Sequence, residues 1–69
     1  MADIKISLAA ARVNAKLTQS EVAQKLKVSN KTVCSWETGK RIPDYATLFT
    51  LSSLYGIPMD CIFLPNEST

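Results

Sequence analysis

The chain has no histidine, and its two cysteines, Cys34 and Cys61, stand far apart. A structural zinc site takes about four nitrogen or sulfur ligands, so no metal is expected. A Cys34–Cys61 disulfide is open on spacing, although a reducing compartment disfavours it. No apolar run approaches the roughly 18 residues that cross a bilayer, and the opening MADIKIS lacks the form of a signal peptide. A soluble, cytoplasmic protein is therefore expected, without a membrane partner. Glycine is scarce too, and Gly39 and Gly56 form no phosphate-cradling loop. Few acids and no histidine leave almost nothing to catalyse with, so an enzyme is not expected. Repeats, low-complexity runs and interdomain linkers are also missing, which leaves residues 1–69 as one small domain. A domain of this size buries only about 60% of its unfolded surface. The hydrophobic share of 46% is nevertheless ordinary for a folded chain and too high for a disordered one.

What is present is an uneven distribution of charge. The net charge is only +2. Residues 12–41 hold Arg12, Lys16, Lys25, Lys27, Lys31, Lys40 and Arg41 against Glu21 and Glu37, a local balance of +5. Residues 42–69 hold only Asp44, Asp60 and Glu67, a balance of −3. One end suits a polyanion and the other does not, although clustering on a solvated surface would look the same.

Helix punctuation is frequent. Asp3 or Ser7 caps a first helix to about Ala15, with Ile4, Leu8, Ala11 and Ala15 on one stripe. The segment TQSE, residues 18–21, is a capping box that opens a second helix over 19–26. Ser29 caps a third helix to about Thr38, and Gly39 supplies a left-handed stop. The following RIPD prevents continuation. Asp44 caps a fourth helix carrying Leu48, Leu51 and Tyr55, ended by Gly56. Pro58 suits the first turn of a fifth helix reaching Phe63, and PNEST is a polar tail. No segment alternates apolar and polar residues for long enough to read as a strand. The expected fold class is all-α, with five helices.

The third helix separates into two arcs at about 100° per residue. Val33, Trp36 and Glu37 fall together, and Trp36 reads as core. Asn30, Lys31, Cys34, Ser35 and Thr38 occupy the other arc. A plain surface helix usually shows Glu and Lys outward. This face holds short donors and acceptors, one lysine and no acid. Such side chains suit the DNA major groove, where Asn pairs with the adenine edge, Lys reaches guanine, and Cys or Thr touches a thymine methyl. Between the second and third helices lie only Lys27, Val28 and Ser29, a length that suits a helix-turn-helix corner. Val22, Ala23 and Leu26 face inward on the second helix. Gln19 stands at its start, where free amides favour a phosphate, and Lys40 and Arg41 lie just beyond the third helix.

The stretch LTQSEVAQKLKVSNKTVCSWETGKRIPD resembles the helix-turn-helix of Cro/cI-type phage repressors and their bacterial Xre-like relatives. The likeness runs from about Ile4 to Phe63. It implies a compact lambda-repressor-like DNA-binding domain in which the second and third helices form the helix-turn-helix. Asn30, Lys31 and Ser35 then resemble base-contacting residues, with Cys34 beside them. Gln19 resembles the helix-two glutamine that bonds phosphate and steadies the first recognition residue. Lys40 and Arg41 resemble the loop that grips the backbone, and Lys27, Thr32 and Thr38 complete the expected phosphate contacts. Arg12 and Glu37 match a helix-one Arg and a helix-three Glu that pair internally, which assigns Glu37 to structure.

The chain departs from the family where glycine is common, after the first helix and at the turn between the second and third. Lys16 and Lys27 stand there instead. Positive φ at both would cost about 1 kcal/mol each relative to glycine; either one or both lysines offset this by approaching a phosphate, or they are tolerated solvent-facing residues. Tyr45 either touches a phosphate or packs at the surface. Tyr55, Leu54, Ile57, Ile62 and Phe63 are expected to close the core, or, with Met59 and Leu64, to supply part of a dimer contact. The resulting expectation is a double-stranded-DNA-binding transcriptional regulator of repressor type. It would bind an operator as a homodimer, without cofactor or small-molecule ligand. An antitoxin-like or accessory component that holds a protein partner on the same fold is the alternative.

Overall fold

Each helix starts on a side chain that accepts from a backbone amide three residues ahead. The computed structural model describes residues 5–64; Asp3, Ile4 and the PNEST tail lie outside that range. Ser7 caps α1 (Leu8–Asn14) and accepts from the Ala10 amide at 3.1 Å. Thr18 caps α2 (Gln19–Leu26), accepting from Glu21 N at 3.0 Å while the Glu21 carboxylate accepts from Thr18 N at 2.8 Å. Ser29 caps α3 (Asn30–Thr38) through the Thr32 amide, and Asp44 caps α4 (Tyr45–Tyr55) through the Thr47 amide. Each bond satisfies an amide that has no partner inside its own helix.

The helix ends are equally specific. Lys16 and Lys27 both take the left-handed conformation, with φ of 61° and 60°, as do Gly39 and Gly56. Past Lys27 the Val28 amide reaches back to Ala23 O at 2.9 Å, and past Lys16 the Leu17 amide reaches Arg12 O at 3.2 Å. These bonds turn the chain sharply and feed Leu17 and Val28 against the core.

The core joins all four helices through Leu8, Ala11, Val22, Ala23, Val33, Trp36, Leu51 and Tyr55, with Ile62 added from the C-terminal segment. Ala23 has the small side chain that lets α2 cross α3 closely. Ser52 is the one buried polar residue in this set, and its hydroxyl donates to Phe49 O at 2.9 Å.

Three expectations need correction. The fifth helix is a single 3₁₀ turn, Met59–Cys61, closed by Cys61 N donating to Pro58 O at 2.9 Å. Pro58 offers no side-chain cap, and the chain then extends as β2 (Ile62–Phe63). This segment pairs in parallel with β1 (Ile6–Ser7), in the register Ile6 to Ile62 and Ser7 to Phe63. β-Branched and aromatic residues favour that extended state once a partner strand is available. Alternation along β2 buries Ile62 and turns Phe63 outward, 47% exposed, so Phe63 is not a core residue. Among the described residues the fold is four α-helices with this short ribbon tying the two ends together.

Candidate nucleic-acid interface

Val33 and Trp36 anchor the back of α3, with 1% and 8% of their surface exposed. Asn30, Lys31, Cys34 and Thr38 are exposed on its front, and Ser35 is half-buried at the edge. The front is therefore an exposed polar face on a helix anchored from behind.

Glu37 explains why no carboxylate appears on that front. Its Oε2 accepts from Arg12 Nε at 2.8 Å, and its Oε1 accepts from Gln19 Nε2 at 2.8 Å. Arg12 adds a longer contact from Nη2 to Oε1 at 3.4 Å, and its Nη1 donates to Leu17 O at 2.9 Å. One carboxylate thus joins α1, α2 and α3. Only 6% of the Glu37 side chain and 16% of the Arg12 side chain remain accessible. The Glu37 hydrogen bond raises the Arg12 pKa above its ordinary value despite the opposing effect of burial. Nearby, burial and then the Glu37 charge push the Tyr55 phenol up to about 12. Truncating either member of such a pair strands the other charge in a poorly solvated place.

The expected phosphate-binding residues divide into two groups. Lys27, Lys40 and Arg41 are exposed, and they flank α3 at its two ends. Arg12–Glu37 is the single ion pair among the described residues, so these cations are not spent internally. The Arg41 amide folds back to Ser35 O at 3.2 Å, which holds the loop against the end of α3. The other group is already engaged. The Thr38 hydroxyl donates to Cys34 O at 3.0 Å, and Thr32 Oγ1 shares a 3.0 Å bond with Ser29 Oγ. A phosphate only accepts hydrogen bonds, so Thr38 must release its carbonyl before it can donate to one.

Gln19 does not steady Asn30. Its amide turns inward to Glu37, and no hydrogen bond joins it to the first residue of α3. Ser20 stands there instead: Asn30 Nδ2 donates to Ser20 Oγ at 2.8 Å. Ser20 escaped the sequence reading because two exposed polar residues on different helices leave no local pattern. Cys34 and Cys61 are both free thiols, Cys34 exposed and Cys61 half-buried. No group of three metal-ligating side chains occurs among the described residues. No described helix is long and apolar enough to cross a membrane.

Comparison with known proteins identifies the family. A helix-turn-helix family model matches residues 8–60. The chain is 39% identical over 57 residues to the HTH-type transcriptional regulator ImmR of Bacillus subtilis, covering 83% of this chain and 45% of that protein. It is 37% identical to the uncharacterized HTH-type transcriptional regulator YqaE of the same organism, covering 83% of this chain and 48% of that one. It is also 33% identical over 51 residues to the uncharacterized HTH-type transcriptional regulator MJ0272 of Methanocaldococcus jannaschii, covering 74% of this chain and 77% of that protein. The chain thus spans about half the length of the two Bacillus relatives. No solved structure matches it. The matched span contains α1 through α4 and the whole Arg12–Gln19–Glu37 junction, and the chain belongs to the Cro- and Xre-type helix-turn-helix regulator family.

Proposed function

We propose that this domain binds double-stranded DNA sequence-specifically and regulates transcription, with α3 in the major groove. One observation carries the reading: α3 presents Asn30, Lys31 and Cys34 outward with Ser35 at the edge, while its one carboxylate is tied to Arg12 and Gln19. Asn30 reads an adenine edge and Lys31 a guanine edge, with Cys34 and Ser35 filling the adjoining contacts. Lys27 at one end of α3 and Lys40 and Arg41 at the other meet phosphates. Gln19, Thr32 and Thr38 contribute by redirecting their present hydrogen bonds. Occupation of promoter DNA then represses transcription without chemistry or a cofactor. The names of the three relatives, each an HTH-type transcriptional regulator, agree with this role.

Two copies bind half-sites about one helical turn apart, roughly 34 Å. The exposed ring of Phe63, with the half-buried Met59 and Leu64 nearby in sequence, favours contact between the copies. A second reading, a protein-binding accessory component, draws support from Ile42, Tyr45 and Phe49, all more than half exposed. Selection of bound sites from random duplexes at two salt concentrations separates the readings. The DNA reading expects paired half-sites about 10 base pairs apart and affinity that falls steeply with salt. Recovery of no preferred sequence at either salt would leave the protein-binding reading.

A further inference from the structure

We infer that Ser20 is a positioning residue that sets which way the Asn30 amide faces a base, and so helps determine sequence preference. The inference rests on the DNA reading of α3. A side-chain amide is nearly symmetric in shape but not in chemistry. Turned one way, it accepts from adenine N6 and donates to N7. Turned over, it sets its oxygen against N7, which also accepts, and recognition is lost. The discrimination supplied by Asn30 depends on whatever holds that torsion.

In this chain the holding group comes from the second residue of α2. Gln19, the first, is drawn inward by Glu37 at 2.8 Å. Ser20 is exposed beside the start of α3 and accepts one Asn30 Nδ2 hydrogen at 2.8 Å. The second Nδ2 hydrogen and both Oδ1 lone pairs remain for a base edge. A hydroxyl alone would satisfy either orientation, because it can donate as well as accept. Beside DNA the choice narrows. Where a phosphate oxygen takes the hydroxyl hydrogen, Ser20 offers Asn30 only lone pairs, and only Nδ2 can face it. Ser20 therefore couples the placement of α2 on the backbone to the orientation of the base-reading amide.

The protein needed for the test is the chain itself with Ser20→Ala, Ser20→Thr, Asn30→Ala and the Ser20→Ala/Asn30→Ala pair. Ser20 is exposed and Thr18 supplies the α2 cap, so Ser20→Ala leaves the thermal melt of the domain close to wild type. The first readout uses no DNA. Loss of the bond moves the Asn30 side-chain amide resonances in Ser20→Ala, and Ser20→Thr restores them. Unmoved resonances would overturn the inference. The second readout is affinity for the selected duplex and for duplexes changed at the base pair whose preference Asn30→Ala abolishes. Ser20→Ala lowers discrimination at that pair by roughly three- to tenfold, the worth of one net hydrogen bond. Ser20→Thr retains it, and Ser20→Ala adds nothing in the Asn30→Ala background. Full discrimination in Ser20→Ala while Asn30→Ala loses it would overturn the role of Ser20 and leave the α3 reading standing. Unchanged base preference in Asn30→Ala would remove Asn30 from the reading surface, and the inference with it.

Discussion

The two halves of the chain stop their helices in the same way, but only the basic half does so with lysine as well as glycine. In the basic half, Lys16 and Lys27 occupy the left-handed position after α1 and α2 and Gly39 after α3; in the other, Gly56 occupies it after α4. The bond that closes the turn is shared: Leu17 to Arg12, Val28 to Ala23, and Ile57 to Ser52. In each case the donor of that bond is an apolar residue packed against the core. The burial of Leu17, Val28 and Ile57 therefore imposes the turn, and glycine only lowers its cost. Accepting that cost twice in the half that carries the exposed cations is what a phosphate-facing role for lysine would produce. The outward faces differ in the same sense. α3 shows short polar groups, whereas α4 shows the rings of Tyr45 and Phe49 at 75% and 56% exposure.

The largest effect that breaks this comparison lies at the junction peculiar to the basic half. Glu37→Ala strands Arg12 and unties Gln19, and it should lower unfolding free energy by about 3 kcal/mol in urea titrations. A loss within about 0.5 kcal/mol, the range of an ordinary surface substitution, would show that the junction does not hold the three helices together.

Next comes the alkaline limit. Tyr55 is pushed up to about 12 in the folded protein from an ordinary value of 10.0. An acid whose folded pKa is raised contributes stability below its unfolded pKa and loses it as pH rises through the folded one. Wild type should therefore lose stability between pH 10 and about 12, and Tyr55→Phe should flatten that limb. Melts that track each other across the window would count against the buried phenol.

A smaller pair of substitutions addresses the turns themselves. Lys27→Gly should stabilise the fold by about 1 kcal/mol, and Gly56→Ala should destabilise it by a similar amount. A Cβ at Gly56 would meet nothing within 4 Å, so its cost is one of backbone conformation alone. If Lys27→Gly also leaves DNA affinity and salt slope unchanged, Lys27 does not meet a phosphate.

The smallest effect is at the α4 cap. The Thr47 hydrogen bonds hold the Asp44 carboxyl below its ordinary value of 3.8. Its contribution is present above pH 3.8 and fades as pH falls through the lower folded value. Asp44→Ala should slightly lower the melting temperature at neutral pH and narrow the gap to wild type under acid. A constant gap down to pH 2 would contradict that cap.

How much was legible in the sequence follows the range of each interaction. Caps and stops act over three to five residues, so Thr18 with Glu21, Ser29, Asp44 and the glycines announced the helix bounds. The inward arc of α3 was equally plain, because Val33 and Trp36 repeat at helical spacing. The ribbon was not, since Ile6 and Ile62 come from opposite ends and neither segment alternates for long enough to signal a strand. The same limit hid Ser20. Its partner Asn30 is fixed by how α2 crosses α3, and that crossing depends on Ala23, Val33 and the Glu37 junction together.

The central claim is that the outward side chains of α3 select the duplex, and affinity for the selected site tests it most directly. Wild type should be compared with Asn30→Ala/Lys31→Ala/Ser35→Ala and with Phe49→Ser, all at one salt concentration. The triple variant should fold, keep weak binding and no longer distinguish the selected duplex from a scrambled one, while Phe49→Ser should distinguish them as wild type does. A folded triple variant that still prefers the selected duplex by the wild-type margin would contradict that claim.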